Sequence, residues 1–477
     1  MSFPNVLDST INEILVVVTP LRDDWVLRTH IIQQLQSIVD SVESLRGATV
    51  EPFGSFVSNL FSRWSDLDLS IELPNGSFIS SAGKKHKQGI LRDVQKAMRR
   101  AGQWRKLQFL SSARVPILKF ETQNISCDVS ICNLIGQAKS RVMFWISGID
   151  NRFRDMVLLV KEWAKTHNIN NSKSGTMNSY TLCLLIIFHF QTCEPAILPP
   201  LQEIYPGNIV DDLTGIREEA QTRIAETCGA NIKRFTEDRS RRVNRSTLSE
   251  LFISFLAKFA DISSMALNQG ISVYRGQWED IDTNMRWLPK TYALFVEDPF
   301  EQPENPARTV STRSLQRIST VFKETHRQLT AAPNHHRHVI IATLASPIIA
   351  QFLAPPESLY RNLGPHQQSY RGYQPQYYRT PPPHTQAHQR YPSQAPQNIP
   401  HPQYQHGYPN NPMTNGYPSA SPGPRQHHYP NGRPSAAQSP RPRPNHMPNG
   451  GSSAAPSPHR PPQGLQNRGQ RTWRPRS

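Results

Sequence analysis

The stretch GSFVSNLFSRWSDLDLSIEL, Gly54 to Leu73, decides how the chain is read. Within it LDLSIEL (67–73) alternates apolar and polar residues with the period of a strand, and LPNGS closes it as a turn. Asp66 and Asp68 lie two residues apart in this extended segment. Both carboxylates therefore point to one face while Leu67 and Leu69 point to the other. Two acids on one face repel unless a cation stands between them, and a divalent ion with oxygen ligands supplies that. Upstream, Gly54-Ser55 ends the strand-like ATVEPF and can bring backbone N–H groups and a hydroxyl to phosphate oxygens.

A third acid repeats the pattern. In ISCDVSI, Ile125, Cys127, Val129 and Ile131 share one face, and Asp128 shares the other with Ser130 and Cys132. A lone DLD also occurs in glycosyltransferases and on solvated edges, and a Gly-Ser pair is usually only a turn. Their order changes the reading, because Asp128 sits in an apolar strand where a bare carboxylate is costly. Asp66, Asp68 and Asp128 together can hold two divalent ions. One would lower the pKa of an attacking hydroxyl, and both would steady charge on a phosphate and its leaving group.

Composition splits the chain in two. The net charge is +17, but residues 358–477 hold thirteen arginines and no acid or lysine, which leaves +4 for the rest. That tail is built of Pro, Gln, His, Tyr, Asn, Gly and Arg without helical or strand period, so it is expected to be disordered. Its arginines and tyrosines suit a polyanion or weak stacking on bases, and a solubilising tail is the plain alternative. The preceding 357 residues exceed one core, so two domains are expected. Five cysteines without a CxxC pair read as small core residues of a reducing compartment. MSFPNVLDSTINEI does not read as a secretory signal, and YTLCLLIIFHF is too short to span a bilayer.

Apolar spacing predicts helices over 8–18 and 24–43, then a strand in ATVEPF, a helix near 86–101, and strands in ARVPILKF and ISCDVSI. From 141 to about 330 the signals are mainly helical, with helices at 153–167, 178–191 and 248–261. In DMVLLVKEWAKTHNI, Lys161 and Lys165 lie four apart on one helical face, a spacing that fits a solvated flank as well as a phosphate site.

GSFVSNLFSRWSDLDLSIEL, ARVPILKF, ISCDVSI, KEWAKTHNIN, SGTMNSYTL and VEDPFE, in that order, resemble the poly(A)/poly(U) polymerases of the DNA polymerase β-like nucleotidyltransferase superfamily. The resemblance covers about residues 1–335 and is strongest to the plant terminal uridylyltransferases that tail small RNAs lacking 3′-terminal methylation.

It implies an α+β fold with three folded parts and a tail. Residues 1–22 would form an N-terminal helix on the central domain, and 23–140 a catalytic domain with a mixed five-stranded sheet. Residues 141–340 would form a helical central, PAP-associated domain, followed by the tail 358–477. It also implies a reaction, transfer of UMP from UTP to the 3′-hydroxyl of RNA with two Mg²⁺ or Mn²⁺ ions held by Asp66, Asp68 and Asp128. Gly54, Ser55, Lys161, Lys165 and Ser179 would contact nucleotide phosphates, Tyr180 would stack on the base, and Asp298 would lie near its Watson–Crick edge. RNA 3′ ends and Argonaute-containing complexes are the implied partners, nucleus and cytoplasm the implied compartments.

Two positions depart from the family pattern. Relatives commonly carry Asn-Thr where this chain has Lys139-Ser140, which leaves the reading of the ribose open. Glu304 stands where some uridylyl-adding relatives have His, so an adenylyltransferase of the same fold stays in view. A catalytically inactive RNA-binding scaffold is the alternative from another class.

Overall fold

The computed structural model describes residues 6–74, 79, 83–288, 291–331 and 336–353. The expected disordered tail lies outside the described residues.

Two helices open the chain, α1 (Val6–Val18) and α2 (Arg22–Asp40). After them come β1 (Thr49–Phe53), the single turn α3 (Gly54–Val57), β2 (Leu67–Glu72), α4 (Lys84–Ala101), β3 (Arg105–Leu110), β4 (Ile117–Thr122) and β5 (Ile125–Ile131). The five strands form one mixed sheet in the order β1-β2-β5-β4-β3, in which only β2 and β5 run parallel. Alternation decides what each face meets. Leu67, Leu69, Ile71, Val129 and Ile131 are fully buried in a core shared with Ile31, Leu35 and Val39 of α2 and Leu91, Val94 and Met98 of α4. Asp68, Ser70 and Glu72 point the other way.

A second core is helical. It is built from α5 (Leu134–Ser147), α6 (Asn151–Thr166), α7 (Ser179–Thr192), the short α8 (Leu201–Ile204) and α9 (Ile209–Asp212), α10 (Arg217–Glu237), α11 (Leu248–Lys258) and α12 (Ile262–Met265). The hairpin β6 (Gln269–Ser272) and β7 (Gln277–Asp280) follows, then α13 (Thr312–Thr330), α14 (Arg337–Leu344) and α15 (Pro347–Leu353). Helix α7 is apolar on every side and is buried along Thr181–Gln191, as expected of a helix surrounded by others. Among the described residues no helix is long and apolar enough to cross a membrane.

The two cores are threaded through each other. Leu7, Ile11, Ile14, Leu15 and Val18 of α1 belong to the helical core, although the sheet core begins immediately after them. Helix α5 also straddles residue 140: its Val142, Met143 and Ile146 lie in the helical core while its N-terminal turn abuts the sheet.

Several expectations need correction. ARVPILKF is a strand only from Ile117, and Ala113–Pro116 belong to the loop before it. Strand β3, RKLQFL, shows no clean alternation because it is a sheet edge with both faces partly wet, so pattern alone missed it. The Gly-Ser turn is a one-turn helix beginning at Gly54. Within the mainly helical half, β6 and β7 are too short to show a period. The core continues past residue 340, to Ile349 and Leu353.

Candidate active site

Parallel pairing of β2 with β5 puts Asp68 directly beside Asp128, and β1 on the other side puts Phe53 against Asp68. Gly54 follows with a φ of +68°, and a Cβ there would stand 2.1 Å from Asp68 Oδ2. Glycine is therefore required twice over, by its backbone conformation and by the carboxylate pressed against it. The Gly54 N–H donates to Ser140 Oγ at 2.7 Å, which in turn donates to the Gly136 carbonyl at 2.6 Å. Ser140 thus anchors this turn to α5.

The same sheet face behaves differently along its length. Beyond Asp68, Ser70 Oγ and Gln137 Nε2 each donate to Glu72 Oε1 at 2.6 Å, and Arg217 pairs with its other oxygen at 3.2 Å. Glu72 is thereby a satisfied, buried structural acid. Asp66 and Asp68, by contrast, have no ion-pair or hydrogen-bond partner among the described residues. Burial pushes the Asp68 carboxyl up to about 7, with repulsion from Asp128 and Asp66 adding to it. Asp66 is raised as well, by burial first and by Asp128 next. Asp128 differs, because Lys119 of β4, its cross-strand neighbour, places Nζ 2.5 Å from both carboxylate oxygens.

Among the described residues no preformed three-ligand metal cluster is assembled. The donor set nevertheless fits divalent ions. It is all oxygen, suited to Mg²⁺ or Mn²⁺, and Asp68 is buried beside two other acids, a placement that a cation would relieve. Asp66, Asp68 and Asp128 are the residues that would hold such ions, with Lys119 displaced from part of Asp128.

Asp66 and Asp68 face a cavity of about 760 Å³ between the sheet and the helical core. Gly54, Ser55, Lys161, Lys165, Ser179, Tyr180 and Asp298 also line it, so every nucleotide-contact residue expected from the sequence reaches the same space. The two lysines are not equivalent. Lys165 is exposed to the cavity, whereas Lys161 is buried and donates from Nζ to the Leu60 carbonyl at 2.9 Å. Burial lowers the Lys161 ammonium pKa. The plain alternative for Lys161, a solvated flank, therefore does not hold, although the residue still lines the cavity. Ser179 Oγ is held by Asn170 Nδ2 at 3.2 Å.

At the far wall Tyr180 donates its hydroxyl to Asp298 Oδ1 at 3.2 Å, and that oxygen also accepts from the N–H groups of Phe300 and Glu301. Burial raises the tyrosine pKa well above its ordinary value, with Asp298 adding to it, so the phenol stays protonated. Lys139, from the sheet side, bridges Asp298 at 2.5 Å and Glu301 at 2.6 Å, with its ammonium 5.6 Å from the centre of the Tyr180 ring. Arg114, from the loop before β4, completes the span to Glu301 at 3.2 Å and Glu304 at 2.9 Å. Burial alone would raise Glu301, but Lys139 and Arg114 outweigh it and hold its carboxyl below the usual range.

Lys119 and Arg114 were not singled out from sequence. Both flank the VPIL stretch, and the signal that could have found them is register: the pairing of β4 with β5 dictates Lys119 opposite Asp128.

The fold and this three-carboxylate face define a polymerase β-like nucleotidyltransferase. Residues 7–147 match the family model described as the central palm domain of mitochondrial-like poly(A) RNA polymerase. Protein HESO1 of Arabidopsis thaliana is 57% identical over 359 residues, covering 75% of this chain and 69% of that protein. Human poly(A) RNA polymerase GLD2 is 28% identical over 300 residues, covering 61% of this chain and 57% of that protein, so the chain spans little more than half of that relative. Among solved structures, a cytoplasmic RNA terminal U-transferase superposes with a TM-score of 0.56 at 22% identity, covering 72% of this chain and 99% of that one. The mitochondrial poly(A) polymerase mtPAP bound to UTP superposes at 0.55 and 20% identity, covering 72% of each chain. The chain belongs to the poly(A)/poly(U) polymerase family of RNA nucleotidyltransferases, together with HESO1.

Proposed function

We propose that the chain transfers UMP from UTP to the 3′-hydroxyl of RNA without a template. The observation that carries this is Asp68, paired in register with Asp128 and facing, with Asp66 and the Gly54 turn, a cleft whose far wall offers Tyr180 and Asp298. When bound there, divalent ions supply Lewis acidity to the attacking hydroxyl and to the departing pyrophosphate. The protein's own groups do the rest. Asp66, Asp68 and Asp128 hold the ions, Ser55, Lys165 and Ser179 offer donors to the triphosphate, and Tyr180 presents a ring face to the incoming base.

Uridine preference and small-RNA tailing rest on the 57% identity to HESO1. In this reading the substrates are microRNAs and siRNAs without a terminal methyl, met in nucleus and cytoplasm, and uridylation promotes their decay. The arginine-rich 358–477 segment adds electrostatic capture of RNA or of an Argonaute-bound RNA; its deletion would weaken RNA binding and flatten the salt dependence.

A second reading is adenylyl transfer. It is favoured by Glu304, ion-paired to Arg114 and Arg308 where some uridylyl-adding relatives carry His. Purified protein, a labelled RNA with a free 3′-hydroxyl, Mg²⁺ or Mn²⁺ and each NTP in turn decide between the two. Extension mainly with UTP supports the proposal, extension mainly with ATP supports the second reading, and no extension with any NTP refutes both.

A further inference from the structure

Trp64 stands two residues before Asp66, lines the catalytic cavity and keeps 42% of its surface exposed. A tryptophan so exposed forgoes burial that its size would reward, so something must hold it out. The cause is a buried cation. Arg28 of α2 has no exposed surface, and its guanidinium donates to the Arg63 carbonyl at 3.1 Å and to the Ser65 carbonyl at 2.7 Å. These are the two carbonyls flanking residue 64. Ser65 Oγ closes the turn by accepting from the Ser62 N–H at 2.9 Å.

Beneath the turn, Trp25, Phe56 and Phe61 form a cluster with ring centroids 4.6 to 5.4 Å apart, and Arg28 sits 4.7 Å from the Phe61 ring centre. The backbone on both sides of Trp64 is thus tied down, and the indole is directed away from the core. The Arg63 guanidinium lies 5.4 Å from its ring centre and Phe352 packs at 6.0 Å. The ring is supported, yet much of it stays open toward the cavity that holds Asp66 and Asp68.

We propose that Trp64 is the platform on which the base of the RNA 3′-terminal nucleotide stacks, so that its 3′-hydroxyl comes to rest beside the carboxylates. This rests on the polymerase reading above. An RNA end approaching these carboxylates is single-stranded, and an indole face binds any base by stacking without reading its edge. Such a contact suits an enzyme that must accept the nucleotide it has just added as the next primer end. Trp64 is a positioning residue, distinct from Tyr180, which faces Asp298 on the far wall.

The test uses the full chain with Trp64→Ala and Trp64→Phe, and three primers identical except at the 3′ end: uridine, 2-aminopurine riboside, and an abasic ribose. Trp64→Ala should raise the KM for the uridine-ended primer roughly tenfold, with the KM for UTP changed less than twofold and the melting temperature kept, and Trp64→Phe should recover most of the loss. The wild type should discriminate against the abasic end by a similar factor and Trp64→Ala should not. Quenching of the 2-aminopurine end on binding should be lost in the alanine variant.

Equal primer KM and equal quenching in the wild type and Trp64→Ala would overturn the inference while leaving the polymerase reading intact. A fall in melting temperature without a primer effect would assign Trp64 to packing and overturn it likewise. Absence of extension by the wild type with any NTP would instead remove the reading on which it rests.

Discussion

Lys139 and Asp298 meet at 2.5 Å across the cleft, one from α5 beside the sheet and the other from the loop before α13. Asp298 is almost wholly buried, and the same lysine also holds Glu301. The position where relatives carry Asn therefore acts here as a strut between the two walls of the nucleotide cavity, with Tyr180 under its ammonium. Removing Lys139 leaves the buried Asp298 carboxylate without its cationic partner. Lys139→Met should lower stability by about 3 kcal/mol and raise the KM for UTP, while Lys139→Met with Asp298→Asn should recover part of the stability. Denaturant unfolding of the two variants checks this, and equal losses in both would refute the strut.

Gly54 offers the sharpest steric test. A methyl group at Gly54→Ala would collide with Asp68 Oδ2 and strain a backbone at φ +68°. Displacing that carboxylate by even about 1 Å should cost on the order of 100-fold in kcat, with RNA affinity retained. Extension rates and RNA binding measured on the same preparation separate these effects.

The three acids should trade stability for activity. Without metal, Asp68→Asn removes a carboxyl that burial and its neighbours have pushed up to about 7, so the variant should melt no lower than the wild type. Added Mg²⁺ or Mn²⁺ should raise the melting temperature of the wild type and leave that of Asp66→Asn with Asp68→Asn unmoved. Extension by that double variant should be undetectable. Thermal scans in EDTA and in metal, alongside extension assays, test both halves.

His189 sets a pH limit on the helical core. It is 1% exposed, its Nε2 lies 3.2 Å from Ser254 Oγ, and burial, with Lys258 adding to it, lowers its pKa to about 3. The unfolded chain binds this proton near pH 6.5 and the folded chain does not until about pH 3. The contribution is whole above pH 6.5 and is lost as pH falls through that window, at up to about 1.4 kcal/mol per pH unit. His189→Leu should reduce this slope in unfolding measured between pH 7.5 and 5; an unchanged slope would assign the acid sensitivity elsewhere.

How much of this was legible beforehand depends on the residue. Asp66, Asp68 and Asp128 could be read because strand alternation reports which side chains share a face, and parallel register then set Asp68 beside Asp128. The burial of Lys161 could not be read, because spacing along a helix does not say which face a neighbouring loop covers, and Leu60 covers this one. Trp64, Arg28 and Arg114 were illegible for a related reason: their roles come from contacts 35 or more residues away in sequence, such as Arg28 to the Arg63 carbonyl and Arg114 to Glu301. The departures themselves, Lys139 and Glu304, read only as differences in the sequence, and their ion pairs give them meaning.

The packing of α1 against α14 and α15, sealed by Arg337 Nε donating to Glu13 Oε2 at 2.9 Å, has a consequence in time. During synthesis α1 leaves the ribosome more than three hundred residues ahead of α14 and α15, a delay on the order of tens of seconds at ordinary synthesis rates. The sheet can assemble during that wait, since all its strands and both covering helices lie between Arg22 and Ile131. Helix α1 can meet α6 and α11 before then, and its contact with α14 and α15 is the part of its packing that must wait longest.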